Sequence, residues 1–96
     1  MIKHIVCYKL KDPSLEGKQK VKENFMKMKE EINLFIDLQV GLDFLQSERS
    51  YDVVLEITFK DLETMNEYQK HPYHVNVVKP FMKEARIASV SVDYEI

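Results

Sequence analysis

The sequence predicts an α+β domain with ferredoxin-like βαββαβ order, a four-stranded antiparallel sheet carrying its helices on one face. Three observations lead there. Four segments alternate apolar and polar residues with the period of a strand. Two longer segments between them repeat apolar residues every three or four positions, as one face of a helix does. The two middle strand segments are joined by a short polar link, the pattern of a hairpin.

Ile2–Leu10 forms the first strand. Ile2, His4, Val6, Tyr8 and Leu10 share one face, while Ile5 and Cys7 sit on the other between lysines, so both faces are expected to be covered. Asp12-Pro13-Ser14 is a helix-start signal, because proline suits a first turn and an acidic residue favours the positive end of the helix. The helix is expected to run to about Asn33, with Val21, Phe25, Met28 and Ile32 in one narrow stripe and Gly17 weakening the first turn. Lys18, Lys22 and Lys29 flank the stripe, and the glutamates interleaved with the lysines mark a solvated face.

Ile36–Leu45 alternates, with Ile36, Leu38, Val40, Leu42 and Phe44 on one side. After the polar link at 47–50, Tyr51–Phe59 alternates again, with Tyr51, Val53, Leu55, Ile57 and Phe59 inward. Asp61 caps a second helix whose inner side carries Leu62, Met65 and Tyr68, and Pro72 stops it because the residue before proline leaves the helical region. A short helical piece from Pro72 to about Lys79, closed by Pro80, is expected next. The last strand is Ala85–Ile96, with Ala88, Val90, Val92, Tyr94 and Ile96 on one face. The sheet face away from the helices then reads as Asp52, Glu56, Ser89, Ser91 and Asp93 among Ile5, Cys7, Val54 and Ile87, a partly apolar surface that invites a second copy of the chain.

At 96 residues the chain is read as a single domain, 1–96, too short for two independent cores and well served by pairing. Fourteen basic against sixteen acidic residues leave a net charge of −2, which argues against nucleic acid as a partner. Cys7 stands alone within an apolar strand, which reads as a buried inert thiol. No apolar run approaches the roughly 20 residues of a membrane span, and the start Met-Ile-Lys-His lacks a leader pattern. A cytoplasmic protein without a membrane partner is expected.

Chemistry concentrates in Glu67-Tyr-Gln-Lys-His-Pro-Tyr-His74, where two histidines and two tyrosines bracket a proline at the end of a helix. His74 suits a general base and Tyr68 an orienting donor, while His4 faces the same interior and needs a polar partner. The alternative reading keeps these histidines structural, satisfying backbone groups opened by the bend at Pro72. His71 is read as solvent-facing or capping the helix end. His71 and His74 do not make a metal site, since the proline between them breaks the helical alignment and no cysteine or carboxylate completes a ligand set. With two glycines and no Gly-rich loop, nucleotide binding has no support either, so no cofactor is expected.

The opening Ile2–Asp12, the strand Tyr51–Phe59, Tyr68-Gln-Lys-His-Pro-Tyr-His-Val75 and the closing Val92-Asp-Tyr-Glu95 together resemble the stress-responsive dimeric α/β-barrel (Dabb) family. His-Pro-x-His after a tyrosine-bearing helix is the most specific part. The resemblance spans essentially the whole chain and implies a homodimer whose two sheets close a barrel with the helices outside. Many family members have no assigned biochemical role. A few resemble polyketide cyclases that perform an aldol condensation between sheet and helices, and in those the positions matching His4, Tyr68 and His74 are the working residues.

Two departures from the cyclases stand out. Val53 replaces a histidine, and Phe25 or Met26 replaces a tyrosine. The resulting expectation is a dimeric binding module whose pocket, lined by Phe25, Met28, Val53 and Tyr73, takes a small apolar molecule. The competing expectation is a cofactor-free lyase, cyclase or isomerase with His74 as base.

Overall fold

The computed structural model describes residues 1–96. Its elements are β1 (Ile2–Leu10), α1 (Leu15–Met26), α2 (Met28–Glu31), β2 (Asp37–Leu42), β3 (Val53–Phe59), α3 (Leu62–Lys70), a π-helical turn (His74–Val78), α4 (Lys79–Ala85) and β4 (Arg86–Glu95). The strands form one antiparallel sheet in the order β2-β3-β1-β4. This is the expected ferredoxin-like arrangement, with helices packed on one face.

Local signals explain the helix starts. Ser14 of the Asp12-Pro13-Ser14 start signal is the cap of α1, its Oγ accepting from the Gly17 N–H at 3.1 Å. Asp12 instead accepts from the Ser14 N–H and folds the loop back over the helix. Gly17 is required there: a Cβ at this position would lie 2.2 Å from the Asp12 carbonyl oxygen. Asp61 caps α3 as expected, accepting from the Thr64 N–H at 2.8 Å.

Val21, Phe25, Met28 and Ile32 are all buried, although the helix that carries them is interrupted at Lys27 and ends at Glu31. They meet Leu38, Val53, Leu55, Ile57 and Phe59 from the sheet and Tyr68 from α3. Burying each large apolar side chain is worth roughly 1.5–3 kcal/mol, so this stripe is the main attachment of the first helical layer. Lys18 does not lie on a solvated flank. It is buried, and its Nζ donates to the Asp43 carbonyl at 2.9 Å, tying α1 to the β2–β3 link.

Several expectations are corrected. β2 is shorter than expected at both ends, leaving Ile36, Phe44 and Leu45 exposed, because pairing with β3 covers only Asp37 to Leu42. Leu62 is exposed at the start of α3. Pro80 does not close the short helix, which continues to Ala85.

The largest correction concerns the phase of β4. His4, Val6 and Tyr8 pair with Asp93, Ser91 and Ser89, which places those polar residues on the helix side of the sheet. Ile5 and Cys7 pair with Val92 and Val90, and Lys3 pairs with Tyr94. The face without helices is therefore more apolar than expected, joining Ile5, Cys7 and Val54 to Val90, Val92 and Tyr94. The last three are exposed.

Candidate functional site

Three elements deliver the expected site residues to one place. β1 brings His4 with its inward set. The inner side of α3 brings Tyr68. His74 opens the π-helical turn, and that turn follows from Pro80. Proline has no N–H to donate, and its ring collides with a carbonyl four residues back. Widening the preceding turn by one residue relieves the collision, and the Lys79 N–H accordingly bonds to the His74 carbonyl five residues earlier. The widened turn buries His74 and Val78 and leaves Val75 exposed.

The three side chains form an aromatic cluster. The rings of Tyr68 and His74 are tilted against each other with centroids 4.3 Å apart, and His4 lies 6.3 Å from Tyr68. His4 and His74 are each 8% exposed. The Nδ1–H of His4 donates to Asp93 across the β1–β4 ladder, which in the neutral ring leaves the lone pair on Nε2. The Tyr68 hydroxyl donates to the Met28 sulfur at 3.8 Å, a weak acceptor inside the core.

Burial sets the protonation states. It lowers the pKa of His74 to about 4, with Lys79, His4 and His71 adding in the same direction and the Gln69 backbone opposing. His74 is thus a neutral ring at pH 7. Its enclosed Nδ1 has no hydrogen-bond partner, a rare condition for a buried polar atom. Burial also raises Tyr68, which stays a protonated phenol, and pushes Tyr8 up to about 12 against the lowering influence of Arg86.

A cleft of about 420 Å³ opens beside this cluster, in the size range of small-molecule sites. Its wall is formed by His4, Val6, Tyr8, Tyr68, His74, Val78 and Met82, and its outer part by Gln69, Lys79, Lys83, Arg86, Ser89 and Ser91. The lining is amphiphilic, with five hydrophobic residues among thirteen.

His4, Tyr68 and His74 are therefore brought together on one cleft. The residues expected as its apolar lining are placed elsewhere. Phe25, Met28 and Val53 are fully packed core residues that fill the space behind Tyr68. Tyr73 packs at the edge of the core, its N–H donating to His71 Nδ1, and does not reach the cleft. His71 ends α3 as its cap residue. Cys7 lies on the open sheet face, where burial and the Glu56 carboxylate raise its pKa.

Sequence reasoning missed Asp93, Ser89, Ser91, Arg86, Lys79 and Lys83. The signal for Asp93 was available in the need of His4 for a partner, since correct pairing of β1 with β4 supplies a carboxylate opposite it. The cations of α4 were hidden by ending that helix at Pro80.

Comparison with known proteins agrees with this architecture. A family model described as the stress responsive A/B barrel domain matches residues 2–96. Olivetolic acid cyclase from Cannabis sativa is 31% identical over 77 residues, spanning 77% of this chain and 76% of that protein. A dimeric ferredoxin-like protein of unknown function from Bacteroides fragilis superposes with a TM-score of 0.81 at 30% identity, covering 99% of this chain and 95% of the other. Hydroxynitrile lyase from Passiflora edulis shares the fold, with a TM-score of 0.82 at 17% identity over 99% of this chain and 92% of its own. No helix is long and apolar enough to cross a membrane.

Proposed function

We propose that this chain, which belongs to the stress responsive A/B barrel family, works as a homodimer in which each protomer binds a small organic molecule in the cleft beside His4, Tyr68 and His74. The observation that carries the reading is the open cleft itself, about 420 Å³, reached by both buried histidines. Pairing is supported by the exposed row Val90, Val92 and Tyr94 on the sheet face without helices, and by the dimeric state of the similar Bacteroides fragilis protein. Stacking two such faces removes apolar surface from water and leaves each cleft on the opposite, helix side of its own sheet.

A second reading is favoured by a specific observation. His74 is neutral, and a neutral imidazole beside a substrate carbonyl can take a proton from the adjacent carbon. The relative that is 31% identical is a cyclase, and a protein of the same fold is a hydroxynitrile lyase. The turned-in hydroxyl of Tyr68 makes His4 and His74, not Tyr68, the groups best placed for proton transfer here.

The test is a two-part screen. Small carbonyl compounds, poly-β-keto thioesters and hydroxynitriles are titrated into the protein while the histidine ring signals are followed by NMR, and each is then assayed for turnover. Shifts of the His4 and His74 signals are expected. Shifts confined to other residues would defeat the binding reading. Turnover lost in His74→Ala with binding retained would establish the catalytic one.

A further inference from the structure

We infer that the ligand of this cleft carries an anionic oxygen group, a carboxylate or a phosphate, seated against Arg86, Lys83 and Lys79 with the rest of the molecule toward His74. The inference rests on the reading of the cleft as a ligand site and specifies the chemical class that fits it. Three cations line the outer part of the cleft and no aspartate or glutamate does. None of the three is in an ion pair: the paired side chains are His4 with Asp93, Lys11 with Glu84 and Lys20 with Glu16. Lys79 and Lys83 are four apart at the start and near the end of α4 and so share a face, and Arg86 opens β4 directly after that helix.

The cations belong to the same space as the histidines. Arg86 bears on the Tyr8 hydroxyl and Lys79 on His74, each through its charge. Ser89 and Ser91 place two hydroxyls along the adjacent wall. Val6, Val78 and Met82 supply the apolar portion, beside the buried His74 ring. One end of the cleft is therefore cationic and hydrogen-bonding, and the other apolar with a neutral imidazole. A guanidinium with two ammonium groups on one concave rim selects an anion over its uncharged isostere.

The experiment compares phenylacetate, phenyl phosphate and uncharged phenylacetamide by calorimetry and NMR on the full chain. At low salt at least one anion is expected to bind about tenfold or more tightly than the amide, as one charge-assisted hydrogen bond suffices to give. The better of the two names the source of the negative charge. Raising the ionic strength is expected to shrink the preference, because the cations are exposed. Arg86→Gln and the double variant Lys79→Gln/Lys83→Gln are each expected to weaken anion binding while amide binding stays within about twofold, a margin well below the loss of one charged contact. Thermal unfolding of each variant checks that it is folded, and the salt series on the unaltered protein stands without them.

Equal affinity for amide and anions, with shifts at His4 and His74, would overturn this inference while leaving the cleft a ligand site. Absence of binding by all three, with no histidine shifts, would overturn both.

Discussion

His4 on β1 and Asp93 on β4 stand directly opposite each other across the antiparallel ladder, and the imidazole Nδ1–H donates to the carboxylate. This one pair orients a buried histidine at the cleft and holds the edge strand to the centre of the sheet. Asp93→Ala is expected to destabilise the protein by about 1–3 kcal/mol, the usual consequence of stranding a buried donor. Asp93→Asn, which keeps an acceptor, is expected to lose less. Urea unfolding of the two variants measures the difference, and equal losses would show that the pair contributes little.

Acidification is expected to destabilise the fold through His74. Its folded pKa is lowered to about 4, against an ordinary value of 6.5, so between those values the unfolded chain binds more protons than the folded one. Stability is full above pH 6.5 and falls as pH drops toward 4. Allowing for partial solvent screening, the loss is on the order of 1–2 kcal/mol. Thermal midpoints recorded between pH 7 and 4.5 should show it, and His74→Gln, which cannot titrate, should flatten that part of the curve.

Val92→Asp is expected to separate the protomers. Val92 pairs with Ile5 at the centre of the open apolar face and is 61% exposed in the isolated chain. A carboxylate there would be buried without a partner on dimerisation, a penalty of several kcal/mol counted once per protomer. Sedimentation at micromolar concentration should find twice the 11.4 kDa chain mass for the unaltered protein and the single-chain mass for the variant. A single-chain mass for both would remove the dimer from the proposal.

Gly17→Ala normally stabilises a helix by up to about 1 kcal/mol. Here the added methyl would meet the Asp12 carbonyl at 2.2 Å, so the sign reverses and a net loss of about 1–3 kcal/mol is expected. Chemical denaturation decides it. A stabilised variant would mean that the 11–14 loop yields freely.

Tyr68→Phe removes a hydroxyl whose partner is a thioether, a weak acceptor. Less than about 1 kcal/mol of stability should be lost, and ligand affinity should hold, since the hydroxyl points to Met28 and away from the cleft. A large loss of binding would show that the hydroxyl turns outward when the ligand arrives.

Phe25, Met28 and Val53 are buried in the same core cluster as Tyr68 and line no part of the cleft. The accessible space extends toward β4 and α4, where the rim is cationic.

Local period was enough to read the order of strands and principal helices and the Val21–Ile32 stripe, residue type gave the Asp61 cap, and the family resemblance pointed to His4, Tyr68 and His74 as one group. Those features depend on residues a few positions apart, or on one helix end meeting one strand. The phase of β4 is of another kind. One face is apolar from Ala88 to Ile96 and the other carries Ser89, Ser91 and Asp93, so composition alone turns the apolar face toward the helices; the pairing of Cys7 with Val90 and of His4 with Asp93 turns it the other way. The same holds for Pro80, whose helix-breaking tendency is absorbed by a widened turn that packing around His74 and Val78 stabilises. Strand register and core packing are sums over distant residues, and no short window of the chain contains them.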